Sequence, residues 1–464
     1  MVNLDFWKMI DFVATIILAR ILTPEDFGVV SIALTFILLL MMFPGFGMGY
    51  ALIQMKKNVK KAADTVFVFA PLAALGIIGI MFVLSPLIAA FYEAPALSGM
   101  LRLLSIAVLF SALGLVPAAL FEKNLQYRKK IIPEIVAPIV MSIVSVVLAL
   151  RGYGAWSIVW GYFALYVCSA FLTWLVTDYR PSFRYDTELV KEMMGFGKDV
   201  VLIYILGFLI SYASYGVIGK VLGIAIAGFF SVANKFATLV MKNITKLVNR
   251  VSFPVFSAIQ EDLDKLRVNF VKIVEYTAFL VIPSNVGIFV LAPEIIEILY
   301  GEKWLPSVPI LRILCFMGVF FAMTIVTHSV FFSLNKHHLL KRIQALQLAI
   351  ILIFILPASY FGISEVAILI SFSYFVTMVL SYLAIRRILK LNLKLMLRDF
   401  LYIPVSAILM AVFVGLLREL IDPGAFMLVF IIGLGFLFYL VMVFILNKRF
   451  YKKLIRQVFN YFEN

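Results

Sequence analysis

Apolar residues in this chain gather in runs of about twenty, separated by short polar stretches. The runs fall at about 4–20, 27–50, 65–86, 100–120, 131–150, 154–177, 199–219, 226–250, 270–292, 309–332, 341–361, 364–386, 400–418 and 425–446. A helix of about 20 apolar residues spans the hydrocarbon of a bilayer. The pattern therefore predicts an all-α polytopic membrane protein with about fourteen transmembrane helices. The largest outside loop runs only from about 293 to 308, so the chain has to work within the bilayer.

Composition agrees. Of 464 residues, 64% are hydrophobic and 14% charged, against roughly half and a quarter in an ordinary soluble chain. This excludes two or three soluble domains, disorder, collagen, coiled coil and DNA binding. The net charge of +15 then reads as an excess of cytoplasmic Lys and Arg, not as a nucleic-acid footprint. The loops test that reading. With the N-terminus inside, alternate loops carry three to five basic residues each, from Lys56, Lys57, Lys60 and Lys61 to Arg386, Arg387, Lys390, Lys394 and Arg398. The intervening loops carry two or fewer, such as Arg20, Arg151 and Lys220. Both termini are expected in the cytoplasm, the C-terminus as a basic tail over 447–464. Cys168 and Cys315 lie inside apolar runs and read as small packed residues. No HExxH, CxxC, Walker or GxGxxG pattern occurs in a fitting context, so no metal or cofactor is expected.

Self-comparison reveals a repeat. Ala19-Arg20-Ile21-Leu22 with Phe27-Gly28 matches Gly219-Lys220-Val221-Leu222 with Ala227-Gly228, at an offset of 200. Leu84-Ser85-Pro86 matches Leu291-Ala292-Pro293, and Leu101-Arg102-Leu103-Leu104 matches Leu311-Arg312-Ile313-Leu314. Such offsets equal six spans, an even number, so both halves enter the membrane in the same sense. This is a parallel repeat about an axis along the membrane normal. It predicts an N-terminal lobe over 1–177, a cytoplasmic linker over 178–198, a C-terminal lobe over 199–390 and two extra helices within 391–446. Two such lobes suit alternating access around a central cavity, which favours a transporter over an enzyme or a channel.

Span eight holds Ser231, Lys235, Thr238, Lys242, Lys246 and Asn249. At 100° per residue all six fall within an arc of about 80°, and Lys235 to Lys246 covers about 16 Å of helix. Lys242 and Lys246 can snorkel to the headgroups. Lys235 is too deep for that, and a lysine at the bilayer centre costs at least about 2.5–3.5 kcal/mol. The matching positions in span two are Thr35, Met42 and Phe46, so the scaffold does not require the charge. The stripe reads as a cavity wall for an anionic substrate. Asp11 lies about 13 Å from Arg20 along span one. It is either an ion pair with Lys8 or, with Arg20, a coupling or gating group for H+ or Na+. Glu134 and Glu275 read as interfacial pairs and His328 as a packed polar contact. Thr23-Pro24-Glu25-Asp26 reads as helix-start chemistry. Asp262-Leu263-Asp264 reads as a solvated turn. Pro44-Gly45-Phe46-Gly47-Met48-Gly49 can bend or break span two, and broken helices often line transport sites; close helix packing through glycine accounts for the string equally well.

Ala19 to Gly28, Gly49-Tyr50-Ala51-Leu52-Ile53-Gln54 and Leu101-Arg102-Leu103-Leu104 resemble the bacterial polysaccharide transporter family of the MOP superfamily. Gly301-Glu302-Lys303-Trp304-Leu305-Pro306 with Pro309 to Leu314 resembles its second-lobe counterpart. The resemblance implies a V-shaped, two-lobed bundle in the cytoplasmic membrane that flips polyprenyl-pyrophosphate-linked oligosaccharide to the outer leaflet. The diphosphate would then be the ligand of the lysine stripe. Relatives carry a longer N-terminus, which implies a shortened or misassigned start here. Ser214 and Tyr215 stand where many relatives have Asp-Arg or Asp-Lys. A small-molecule antiporter of the multidrug-extrusion branch would share the architecture, but twelve spans would suit it better. A membrane glycosyltransferase or polymerase would need a large outside loop.

Overall fold

The computed structural model describes residues 6–420, 424–448 and 450. Among them are seventeen α-helices and no strand. The chain divides into two compact units, Met1–Ser231 and Val232–Asn464. The first unit contains α1 (Phe6–Ile21), α2 (Pro24–Leu40), α3 (Met48–Gln54), α4 (Val59–Phe91), α5 (Pro95–Lys123), α6 (Tyr127–Leu150), α7 (Ala155–Val176) and α8 (Thr187–Val221). The boundary falls inside α9 (Ile224–Ala258). The second unit continues with α10 (Leu263–Val290), α11 (Ala292–Tyr300), α12 (Ser307–Ser333), α13 (His337–Phe361), α14 (Ile363–Leu389), α15 (Leu393–Phe400), α16 (Tyr402–Leu420) and α17 (Ala425–Leu446).

Among the described residues, twelve helices are long and apolar enough to cross a membrane. The fourteen runs of the sequence differ from these at the N-terminal end. Helix α1 has 16 residues and α2 has 17, and the second run is split between α2 and α3. Large apolar side chains such as Leu72, Val83 and Leu87 on α4 and Phe426 on α17 are exposed. A soluble monomer rarely shows continuous apolar faces of this kind, whereas hydrocarbon covers them at no cost.

In the first unit α5 sits centrally, packed on α4, α7 and α2. Its Leu97, Met100, Leu101, Leu104 and Val108 recur at helical spacing and are fully enclosed, together with Ile32, Ala33 and Ile37 of α2. The start of α2 follows the sequence chemistry. Thr23 is the N-cap, Pro24 opens the helix, and Thr23 and Asp26 form a capping box. Asp26 also accepts a 2.8 Å bond from the Ala155 amide, so one carboxylate serves the first turns of both α2 and α7.

In the second unit α12 is the enclosed helix, packed on α10 and α14. The two C-terminal helices dock through polar anchors. The Tyr439 hydroxyl donates to the Phe279 carbonyl at 3.0 Å, and Tyr402 donates to Glu275 at 3.1 Å. Arg418 pairs with the buried Glu294. Each places a polar group against a partner where the bilayer offers none. Asp262 caps α10 through the Lys265 amide, so the Asp262-Leu263-Asp264 string is a helix start.

A close backbone approach joins positions 200 residues apart. A Cβ at Gly28 would collide with the Ile224 carbonyl, and a Cβ at Gly228 would collide with the Pro24 carbonyl. Gly28 and Gly228, like Pro24 and Ile224, are 200 positions apart. The crossing of α2 with the first turns of α9 is therefore reciprocal, as an isologous contact is. Small residues at a crossing let helix backbones touch, which is how helices associate in lipid. Gly28→Leu or Gly228→Leu should lower the unfolding midpoint in detergent, at an overpacking cost of about 1–3 kcal/mol or more. Gly79→Leu, whose site is open, should not. Equal midpoints for the three variants would contradict the close crossing.

Candidate functional site

Helix α9 is two-faced where it carries the lysines. Val232, Ala233, Phe236, Ala237, Met241 and Thr245 are buried, while Lys235, Lys242 and Lys246 are all exposed. Steps of seven and four residues keep the three ammonium groups on one side. The hydroxyls flanking them behave differently. Thr238 is buried and donates to the Asn234 carbonyl at 2.7 Å. Ser231 donates to the Gly228 carbonyl at 2.8 Å. Both are engaged by the helix itself, so the exposed chemistry of this face is cationic. The side chains of Asp11 and Asn249 lie outside the described residues. Arg20 is exposed in the last turn of α1.

The remaining candidates are distributed. Glu134 lies 3.4 Å from Lys130, which also pairs with Glu122. His328 is half-buried in α12, its Nε2 enclosed without a hydrogen-bond partner. Ser214 is buried, and Tyr215 packs edge-on against Phe230 at 5.2 Å.

Two arrangements were not visible in the sequence. The first straps the 178–186 segment to the end of α4. Asp64 is buried and accepts bonds from the Tyr179 hydroxyl at 2.8 Å, the Ser182 amide at 3.2 Å and the Ser182 hydroxyl. Asp186 caps α8 through the Glu188 and Leu189 amides and pairs with Lys61, while Asp178 pairs with Lys129. Phe67 meets Trp174, Tyr179 and Phe183 edge-on behind them. The Lys61 hydrogen bond holds the Asp186 carboxyl below the usual carboxylate range, and the Lys129 hydrogen bond does the same for Asp178. Burial, then the bond to Asp64, pushes the Tyr179 phenol up.

The second arrangement is a cleft at the break in span two. Residues 41–47 are turns, with positive φ at Phe46 and Gly47. The glycine-rich string thus breaks the span outright. Lys123 donates to the Ile53 carbonyl at 3.0 Å and to the Met55 carbonyl, which satisfies the exposed end of α3. Tyr50 of α3 stacks on Tyr204 of α8, with ring centroids 5.7 Å apart and hydroxyls 3.2 Å apart.

Apolar helices long enough to cross a bilayer, lipid-facing side chains and a cationic helix face define an all-α, multi-pass membrane protein. A family profile described as "Polysaccharide biosynthesis protein" matches residues 17–309, and the chain belongs to that family. It is similar to the succinoglycan biosynthesis transport protein ExoT of Rhizobium meliloti, with 28% identity over 65% of this chain and 61% of that protein. It is also similar to the lipopolysaccharide biosynthesis protein WzxC of Escherichia coli, with 27% identity over 65% of this chain and 62% of that protein. The match thus spans about three fifths of the length of these relatives. Among solved structures, the lipid II flippase MurJ in an inward closed conformation shares the fold, with a TM-score of 0.79 and 16% identity over 97% of this chain and 98% of that one. An inward-facing multidrug resistance MATE family transporter of the MOP superfamily does so with a TM-score of 0.65 and 14% identity over 84% and 95%.

The strap has a defined pH sign. A carboxyl with a lowered folded pKa contributes above its unfolded value, near 4, and loses that contribution as pH falls through the folded value. Asp178 and Asp186 should therefore hold the strap from neutrality down to about pH 4. At neutral pH, trypsin should cut slowly at Arg184 in the wild type. Asp64→Ala, which removes the acceptor at the centre of the strap, should be cut several-fold faster. Equal cleavage rates would show that Asp64 does not hold the segment.

Proposed function

We propose that this protein carries polyprenyl-pyrophosphate-linked oligosaccharide across the cytoplasmic membrane by alternating access, for the synthesis or export of cell-surface polysaccharide. On this reading it is a transporter and not an enzyme. The observation that carries the proposal is the row of exposed lysines, Lys235, Lys242 and Lys246, on the side of α9 opposite its buried face. A charge at that depth needs water or a counter-charge. A diphosphate supplies fixed negative charge, and its burial requires a compensating cation. Family membership and the transport role in the name of ExoT support the same substrate class.

The proposal includes fourteen spans, both termini in the cytoplasm, and two repeat-related lobes over 1–177 and 199–390. The reciprocal contact of Gly28 and Gly228 supports the repeat. A reporter fused at Lys394 should read cytoplasmic, and an outside reading would overturn the orientation. Coupling to H+ or Na+ through Asp11, with Arg20 as gate, is the energetic half of the reading. Asp11→Asn should then abolish polymer export, and full export would remove Asp11 from it.

The substrate claim is tested by complementation of a flippase-deficient strain, with immunoblots for abundance. Lys235→Ala should abolish surface polymer at unchanged protein level. Lys235→Arg should keep part of the activity, since it preserves charge but alters geometry. Lys246→Ala should do least harm. Wild-type polymer from well-expressed Lys235→Ala would exclude the diphosphate role.

A further inference from the structure

The break in span two belongs to one repeat only. Residues 41–47 are turns, whereas the equivalent residues 241–247 lie inside the uninterrupted helix α9. The repeat scaffold therefore does not require the break. Non-helical backbone within a membrane is tolerated only where protein buries it or where it lines a wet cavity. Here it lines a cavity. A cleft of about 360 Å³ opens beside the break, with Met41, Met42, Gly47, Tyr50, Glu122 and Tyr204 among its walls. Its size is within the range of small-molecule sites.

The walls state which chemistry fits. None of the lining residues is a lysine or arginine, so the cleft offers an anion no cation. Glu122 is a carboxylate already paired with Lys130. It keeps acceptor capacity for hydroxyl donors while its charge is offset. Tyr50 and Tyr204 stack nearly parallel, at 12°, and are 45% and about half exposed. Stacking uses one face of each ring and leaves the other. Tyrosine presents a rigid apolar face and a polar hydroxyl at low entropic cost. An apolar lipid chain would use the methionines and leave the Tyr204 hydroxyl proton and the remaining acceptor sites of Glu122 unused. A pyranose uses all three features, with its C–H face on a ring and its hydroxyls on Glu122 and the phenols.

We propose that this cleft is a carbohydrate subsite, which takes a sugar ring of the lipid-linked oligosaccharide. The subsite rests on the substrate reading above.

The test compares two probes on the purified full-length protein: a polyprenyl pyrophosphate without sugar, and the same lipid carrying a disaccharide. Wild type should bind the sugar-bearing probe more tightly. Tyr204→Ala and Glu122→Gln should weaken that binding by about tenfold and leave the sugar-free probe unchanged. Retained binding of the sugar-free probe also shows that the variants are folded. Tyr204→Phe keeps the ring and should lose less. Lys235→Ala should weaken both probes. Wild-type affinity of the Tyr204 and Glu122 variants for the sugar-bearing probe would overturn the subsite and leave the substrate reading standing. An equal loss for both probes would overturn it in favour of a lipid-chain cleft. A wild type that binds neither probe would overturn the substrate reading and the subsite with it.

Discussion

Hydrocarbon offers no hydrogen-bond partner, and this single constraint orders the whole molecule. Each backbone group and each charge within the bilayer needs a partner from the chain, a wet cavity or a headgroup. Helices satisfy most backbone groups internally. Their ends are completed by side chains: Thr23 and Asp26 at α2 and α7, Asp186 at α8, Asp262 at α10 and Lys123 at the end of α3. Hydroxyls inside the helices are absorbed in the same way, as Thr277 and Thr324 donate to carbonyls four residues back. The buried Glu294 pairs with Arg418, and the half-buried Glu275 accepts from Tyr402.

Against this background, features that the scaffold does not need carry information. The lysines of α9 are exposed on one face, where a scaffold alone would place apolar residues. The turn at 41–47 leaves helical geometry where span two could have continued. Each feature stands at positions whose counterparts, 200 residues away, lack it. Equivalent positions in a repeat share the demands of the scaffold, so their differences isolate what the scaffold does not need. The shared element is the reciprocal contact of Gly28 and Gly228 with opposing carbonyls, which fixes how α2 and the start of α9 cross.

Much of the architecture was legible because membrane spans are written in composition, which needs no tertiary information. The lysine face was legible too, since helical periodicity places residues 235, 242 and 246 together. The Thr23 cap and the break at the glycine-rich string followed from local chemistry. The structure drew finer lines: α1 and α2 are shorter than a full span, and the 178–198 linker is irregular to 186 and helical from 187. Partners distant in sequence were not legible. Asp64 lies 115 residues from Tyr179, and Tyr50 lies 154 from Tyr204. No period or motif links them, and a single Asp at a helix start looks like a solvated residue. Thr238 shared the arc of the lysines by angle, yet it is buried with its hydroxyl on the helix backbone. A short side chain at the edge of an arc falls under the neighbouring helix, while a lysine reaches beyond it.

The central claim is that this protein moves a lipid-linked sugar between leaflets, and it is tested most directly in vesicles. The purified protein is reconstituted with a fluorescent polyprenyl-pyrophosphate-linked disaccharide confined to the inner leaflet, and sugar reaching the outer leaflet is read by an impermeant quencher. The account predicts time-dependent quenching that requires the protein and is lost with Lys235→Ala. Quenching no faster than in protein-free vesicles, at confirmed incorporation and under an imposed H+ or Na+ gradient, would contradict it.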